Sequence, residues 1–148
     1  PFQAISEHDP WFRIQMGVAP DRLADLICEY DFGALPYLVG PDGVLDRRPD
    51  VMRFCIGTKI FALLEAGLPI VCVKEQTMVT EFVEEHGLGI SLPAQDFSLR
   101  KHLTPENLHT WRANVQRYNR DYGMDKQIVQ LEGIYGSAEA NFRAQRMR

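Results

Sequence analysis

The chain has 148 residues, 45% of them hydrophobic and 24% charged, with a formal net charge of -4 at pH 7. That balance is typical of a globular domain, and a domain this long removes roughly 70% of its unfolded surface from water. It excludes a general nucleic-acid surface, which needs clustered cations, and no run of about 18 apolar residues reads as a membrane span.

The chain opens Pro1-Phe2-Gln3 with no recognisable signal peptide and reads as a piece of a longer polypeptide. Residues 1 to 11 are polar, hold two prolines and read as an entry loop. Phe12-Arg13-Ile14-Gln15-Met16 alternates apolar and polar, the period of a half-buried strand. Pro20-Asp21 opens a helix with Leu23, Leu26 and Ile27 on one face, ending near Tyr30. Residues 32 to 39, "FGALPYLV", form a second strand candidate, and Pro36 assigns it to a sheet edge or a strand end. Residues 40 to 50, "GPDGVLDRRPD", are the clearest loop and carry Arg47-Arg48.

The stretch "GTKIFALLEAGLPIVCV", residues 57 to 73, is the most informative. A helix over about 58 to 66 starts at Gly57-Thr58-Lys59 and stops at Gly67, which permits a left-handed cap, and at Pro69, which cannot continue a helix. Ile70 to Val73 follows at once and is apolar on both faces, as a central parallel strand should be. Residues 77 to 86 form the next helix, with Met78, Val79, Phe82 and Val83 inward, Thr77 as its cap and Gly87 as its stop. Residues 88 to 92 are a short strand, and Asp96 starts a small helix. Thr104-Pro105-Glu106 is a strong helix opening, with a capping hydroxyl, a proline at the first position and an acid at the positive end of the dipole. Leu108, Trp111, Val115 and Tyr118 recur at helical spacing until Gly123; a last helix carries Ile128, Leu131 and Tyr135, and residues 137–148 form a tail.

Strands and helices therefore alternate. The expected fold class is α/β: a Rossmann-like open parallel sheet flanked by helices, with additional C-terminal helices. In such a sheet, ligands sit at the carboxyl ends of the strands, beside helix N-termini that suit phosphate. Gly57 lets a ligand approach the backbone, Thr58 caps the helix or bonds a phosphate oxygen, and Lys59 adds a full charge. Arg53, just upstream, is a further phosphate candidate. Cys28, Cys55 and Cys72 form no CxxC pair and read as reduced, buried thiols of a cytoplasmic protein. The histidines share no ligand spacing, so no metal site is expected. His86 precedes a helix stop and suits the helix dipole.

Lys59-Ile60-Phe61, Leu64 and Ala66-Gly67-Leu68-Pro69-Ile70-Val71, followed by Val83-Glu84-Glu85-His86-Gly87-Leu88-Gly89-Ile90, resemble the C-terminal domain of GT-B-fold glycosyltransferases of the group 1 type. "EYDFGALPY", residues 29 to 37, is similar to an upstream strand of that family, and the closing helices resemble its terminal helices. The resemblance spans roughly residues 12 to 136, and residues 1–136 are expected to form a partial domain of this kind. It implies the half of a sugar transferase that holds a nucleotide-diphosphate sugar as donor substrate, with no further cofactor. Gly57, Thr58, Lys59 and Arg53 would grip the diphosphate, helped by Glu75, Gln76 and Thr77 in the turn after the central strand. The acceptor would come from an N-terminal domain outside this chain, so the chain alone is not expected to catalyse transfer. The full-length protein would be cytoplasmic, docking on a membrane through its other half if at all.

One departure stands out. Where the family has a ribose-binding Glu, this chain has Ala62, and the nearest acid, Glu65, lies about 5 Å further along the helix. That departure leaves open a second reading, a degenerate, non-catalytic domain that serves as a protein interaction module. A third is another α/β nucleotide-binding enzyme, such as a sugar-nucleotide epimerase. Apolar surface at the truncated edge would favour self-association of the fragment.

Overall fold

The computed structural model describes residues 2–15, 17–36, 55–96 and 98–146. At its centre lie three strands, β1 (Gly33–Leu35), β2 (Ile70–Val73) and β3 (Gly89–Leu92), all parallel and in the order β1-β2-β3. Gly33 aligns with Ile70 and Ile70 with Gly89, so the three strands run in step. All four residues of β2 are buried, which explains its apolar character on both faces. The protein is mixed α/β, as its alternating pattern implies.

The helices among the described residues are α1 (Phe2–His8), α2 (Pro20–Ile27), α3 (Lys59–Glu65), α4 (Thr77–His86), α5 (Pro105–Tyr122) and α6 (Met124–Arg146). Ile60 and Leu64 of α3 and Val79 and Val83 of α4 join Ile70, Cys72, Leu35, Leu88 and Val115 in one core cluster. Both crossover helices therefore cover the same sheet face, as right-handed crossovers to successive neighbours require. Val71 and Val73, on the opposite face by strand alternation, are buried as well.

α3 and α4 end in the same way. Gly67 at φ 77° and Gly87 at φ 61° adopt the left-handed conformation. Gly67 N donates to Leu64 O and Leu68 N to Leu63 O; Gly87 N donates to Glu84 O and Leu88 N to Val83 O. This is the Schellman pattern, in which two leftover carbonyls are satisfied and the next residue turns inward. Leu68 and Leu88 are those residues, both buried, and each leads straight into a strand.

Several elements differ from the sequence expectation. Residues 11–15 form no strand: Trp11 N donates to Asp9 Oδ1 and Phe12 N to Asp9 O, closing a turn, and Trp11 is 94% exposed. Alternation marks a surface with two faces, but a strand also needs a neighbour. The expected entry loop contains α1. β1 covers only Gly33–Leu35, with Phe32 and Pro36 outside the strand, and residues 37–39, with the 40 to 50 loop, lie outside the described residues. Ala94–Asp96 is a 3-10 turn that ends, rather than starts, at Asp96. α6 runs unbroken through residue 136 to Arg146, so the expected tail is helical over most of its length. Cys28 and Cys55 are exposed, against the expected burial, and only Cys72 is buried among the three.

Candidate functional site

The carboxyl ends of the strands form the edge where sequence reasoning puts a ligand. β1 gives way there to Pro36, and α3 begins there with Lys59. Ala34, Leu35, Pro36 and Lys59 line a cavity of about 210 Å³. Gly57 is half-buried, while Thr58 and Lys59 are exposed. The first turn of α3 is tight: Ile60 N donates to Gly57 O at 3.2 Å and Phe61 N to Thr58 O at 3.1 Å. Thr58 occupies the N-cap position but has helical dihedrals, and its side chain does not cap. A cap residue normally has extended dihedrals, which bring its oxygen back over the first turn. α3 is only seven residues long, so the ammonium of Lys59 is the main positive charge at this point. Arg53, Arg47 and Arg48 lie outside the described residues.

The neighbouring strand supplies the second part of the edge. β2 runs into the turn Lys74-Glu75-Gln76 and then α4. Thr80 donates its hydroxyl to Val73 O and Lys74 O, at 3.3 and 3.2 Å, fastening the start of α4 to the end of β2. Glu75 accepts from Ala94 N through both carboxylate oxygens, at 3.1 and 3.2 Å. It thereby clamps the turn after β2 to the turn after β3, a structural task separate from the donor contact expected of it. Thr77 is the first helical residue rather than the cap; Gln76 holds the N-cap position, with no side-chain cap bond.

Gln76 is the unusual residue of the site. It is 1% exposed, and neither Nε2 nor Oε1 has a hydrogen-bond partner among the described residues. Leaving a buried polar group unpaired costs roughly 1–3 kcal/mol. Buried amides are almost always paired, so an orphan of this kind calls for an explanation. Lys59, Gln76 and Thr77 therefore share one sheet edge, with Glu75 engaged beside them.

A larger cavity lies elsewhere. A cleft of about 690 Å³ opens between α3, α5 and the start of α6, with Phe61, Leu64, Glu65, Tyr118, Tyr122 and Met124 among its lining. Leu64 and Glu65 belong to the last turn of α3, remote from Lys59 along the helix. Glu65 therefore faces this cleft and not the carboxyl edge of the sheet. An aromatic cluster backs the cleft: Phe82 meets Tyr118 at 5.5 Å and His86 at 5.2 Å, and Tyr118 stacks on Tyr122 at 4.9 Å. Burial, and secondarily Tyr122, pushes the Tyr118 hydroxyl above its ordinary range. His86, read from sequence as a partner of the helix dipole, is a member of this cluster. The signal was available in the four-residue spacing of Phe82 with His86 and of Tyr118 with Tyr122.

α5 also closes two helix ends. Asn119 Nδ2 donates to Leu64 O at 2.5 Å, and Asn114 Nδ2 donates to Gly87 O at 2.9 Å. Arg112 reaches Asp31 at 3.0 Å and Tyr30 O at 3.3 Å, fixing the approach to β1. No simple sequence rule points to these contacts, because each joins residues far apart in the chain.

No family model, curated protein or solved structure matches the chain. Among the described residues, no helix is long and apolar enough to cross a membrane, and no cluster of three or more His, Cys, Asp or Glu side chains is arranged to hold a metal ion.

Proposed function

We propose that this chain is the nucleotide-diphosphate-sugar-binding part of a glycosyltransferase, working with an acceptor domain that the chain does not contain. The carrying observation is the carboxyl edge of the parallel sheet, where Lys59 lines a cavity beside β1 and the next turn holds the unpartnered amide of Gln76. A diphosphate is a compact dianion or trianion. One ammonium and the amides of Gly57 and Thr58 would hold it without rearranging the fold. In transfer of the sugar to a glycan, lipid-linked or other acceptor, the bond from the anomeric carbon to the diphosphate breaks. Negative charge then gathers on the leaving group, where a fixed cation is most useful.

Titration of the folded chain with UDP, GDP, ADP and their sugar conjugates, read by thermal shift, tests this reading. A nucleotide present at a hundred times its dissociation constant adds ~2.7 kcal/mol of stability. Lys59→Ala should weaken that binding roughly tenfold to a hundredfold, the loss of one charge-assisted contact of ~1.5–3 kcal/mol. A folded chain that responds to none of these nucleotides refutes it.

Ala62 and the apolar cleft away from the carboxyl edge favour a second reading, a non-catalytic domain of the same architecture that binds a protein partner. It predicts a defined oligomer or complex and no nucleotide affinity.

A further inference from the structure

α6 leaves the body of the protein at Gly123 and runs for 23 residues, about 35 Å at 1.5 Å per residue. Every residue from 128 to 139 is exposed. Ile128, Leu131 and Tyr135 are 45%, 47% and 70% exposed, and Met124 ahead of them is 70% exposed. Met124, Ile128, Leu131, Tyr135, Ala138 and Phe142 are spaced four, three, four, three, four along the chain. That is a 3.5-residue repeat sustained over nearly three heptads, the period of a seam between two supercoiled helices rather than of a helix lying on a globular core.

We propose that α6 pairs in parallel with α6 of a second copy of this chain. Along α6 three acids, Asp125, Glu132 and Glu139, stand against three cations, Lys126, Arg143 and Arg146, so the helix is not rich in Lys and Arg. A helix lying on an anionic membrane surface carries a polar face rich in Lys and Arg, so this charge pattern disfavours a lipid occupant. The same charges select the orientation. With the seam at positions a and d, the three acids fall on position e, followed there by Arg146, while Gln127, Ile134 and Asn141 fall on position g and carry no charge. In an antiparallel pair, e faces e, and the acids of the two copies oppose one another. In a parallel pair, e faces g: Gln127 of one copy stands opposite Glu132 of the other, an amide donor against a carboxylate.

The helix is also poorly suited to standing alone. Gly133 and Gly136 fall in its interior, and a side chain added at either meets nothing within 4 Å. Glycine weakens an isolated helix, so pairing supplies stability that local propensity does not. Both glycines lie off the seam, where they leave the contact intact.

Sedimentation velocity on the full chain across a concentration series should show a reversible dimer. The double variant Ile128→Asp with Leu131→Asp should sediment as a folded monomer. Val129→Asp, a change at a more exposed position off the seam, should remain dimeric. Met124→Cys, in a background where Cys28 and Cys55 are changed to serine, should form a disulfide-linked dimer on mild oxidation. In an antiparallel pair Met124 would face residue 142 and the two sulfurs would be about 27 Å apart. A chain that is monomeric at every concentration overturns the proposal, as does a dimer untouched by the seam charges or a dimer that Met124→Cys fails to link. Binding of a monomeric chain to vesicles of neutral phosphatidylcholine would assign the face to lipid and overturn it equally.

Discussion

Gln76→Met separates stability from function at the candidate site. Methionine has nearly the volume of glutamine and no polar group to desolvate, and Gln76 is 1% exposed with Nε2 and Oε1 both unpaired. Removing an unsatisfied buried amide should stabilise the ligand-free chain by about 1–3 kcal/mol. For a domain near 150 residues that raises the midpoint of thermal unfolding by about 2 to 12 °C. Urea unfolding of both forms, with equal slopes, gives the free-energy difference directly. The same substitution should abolish or sharply weaken the thermal shift given by a nucleotide sugar, because the amide tolerated at that cost is then no longer present. Such opposition of stability and binding is the mark of a functional residue. If Gln76→Met instead destabilises the free chain by more than about 1 kcal/mol, the amide is already satisfied in solution, by ordered water or otherwise. The reasoning that links it to a ligand then fails.

Two further outcomes are expected. Gly67→Ala should cost about 1–2 kcal/mol in urea unfolding, because φ 77° penalises any Cβ even though open space surrounds it; a neutral result would mean that the turn rearranges. The Cys72 thiol, pushed up from 9.0 to about 11 chiefly by burial, should resist alkylation at pH 8 while the exposed Cys28 and Cys55 react. The unfolded chain releases this proton at lower pH than the folded one, so stability should decline as pH rises from about 9 towards 11 and be unaffected by this group below. Changing Cys72 to alanine should remove that part of the decline; an identical pH profile would refute the assignment.

The crossover helices and the strands they feed were legible because the signals are local. Gly67 and Gly87 stop helices by backbone geometry alone, and an apolar run such as Ile70 to Val73 has no comfortable place except inside a sheet. Thr104 is likewise a cap by local chemistry, and its hydroxyl accepts from Asn107 N at 3.2 Å. Phe12 to Met16 misled because alternation describes one strand and says nothing of a partner. Of the expected site, Lys59 and the turn at 75–77 both lie at the carboxyl edge of the sheet. Glu75 has another task there, since its partner Ala94 is nineteen residues away and no local pattern joins them. Burial of Gln76 was equally hidden, because glutamine normally belongs on the surface and only the assembled fold takes it inside.

The position of α5 in the chain has a consequence for how this protein is made. Val115 fills the core, and Asn119 and Asn114 satisfy carbonyls at the ends of the two crossover helices that precede them. A nascent chain that has emerged from the ribosome only through β3 still lacks all three groups. It has a gap in its core, and the asparagine bonds to Leu64 O and Gly87 O are not yet made. Packing of α5 against the sheet and its crossover helices must then wait until residue 119 has cleared the exit tunnel. A premature stop near residue 100 would leave the three described strands without Val115 in their core and without the asparagine bonds to Leu64 O and Gly87 O.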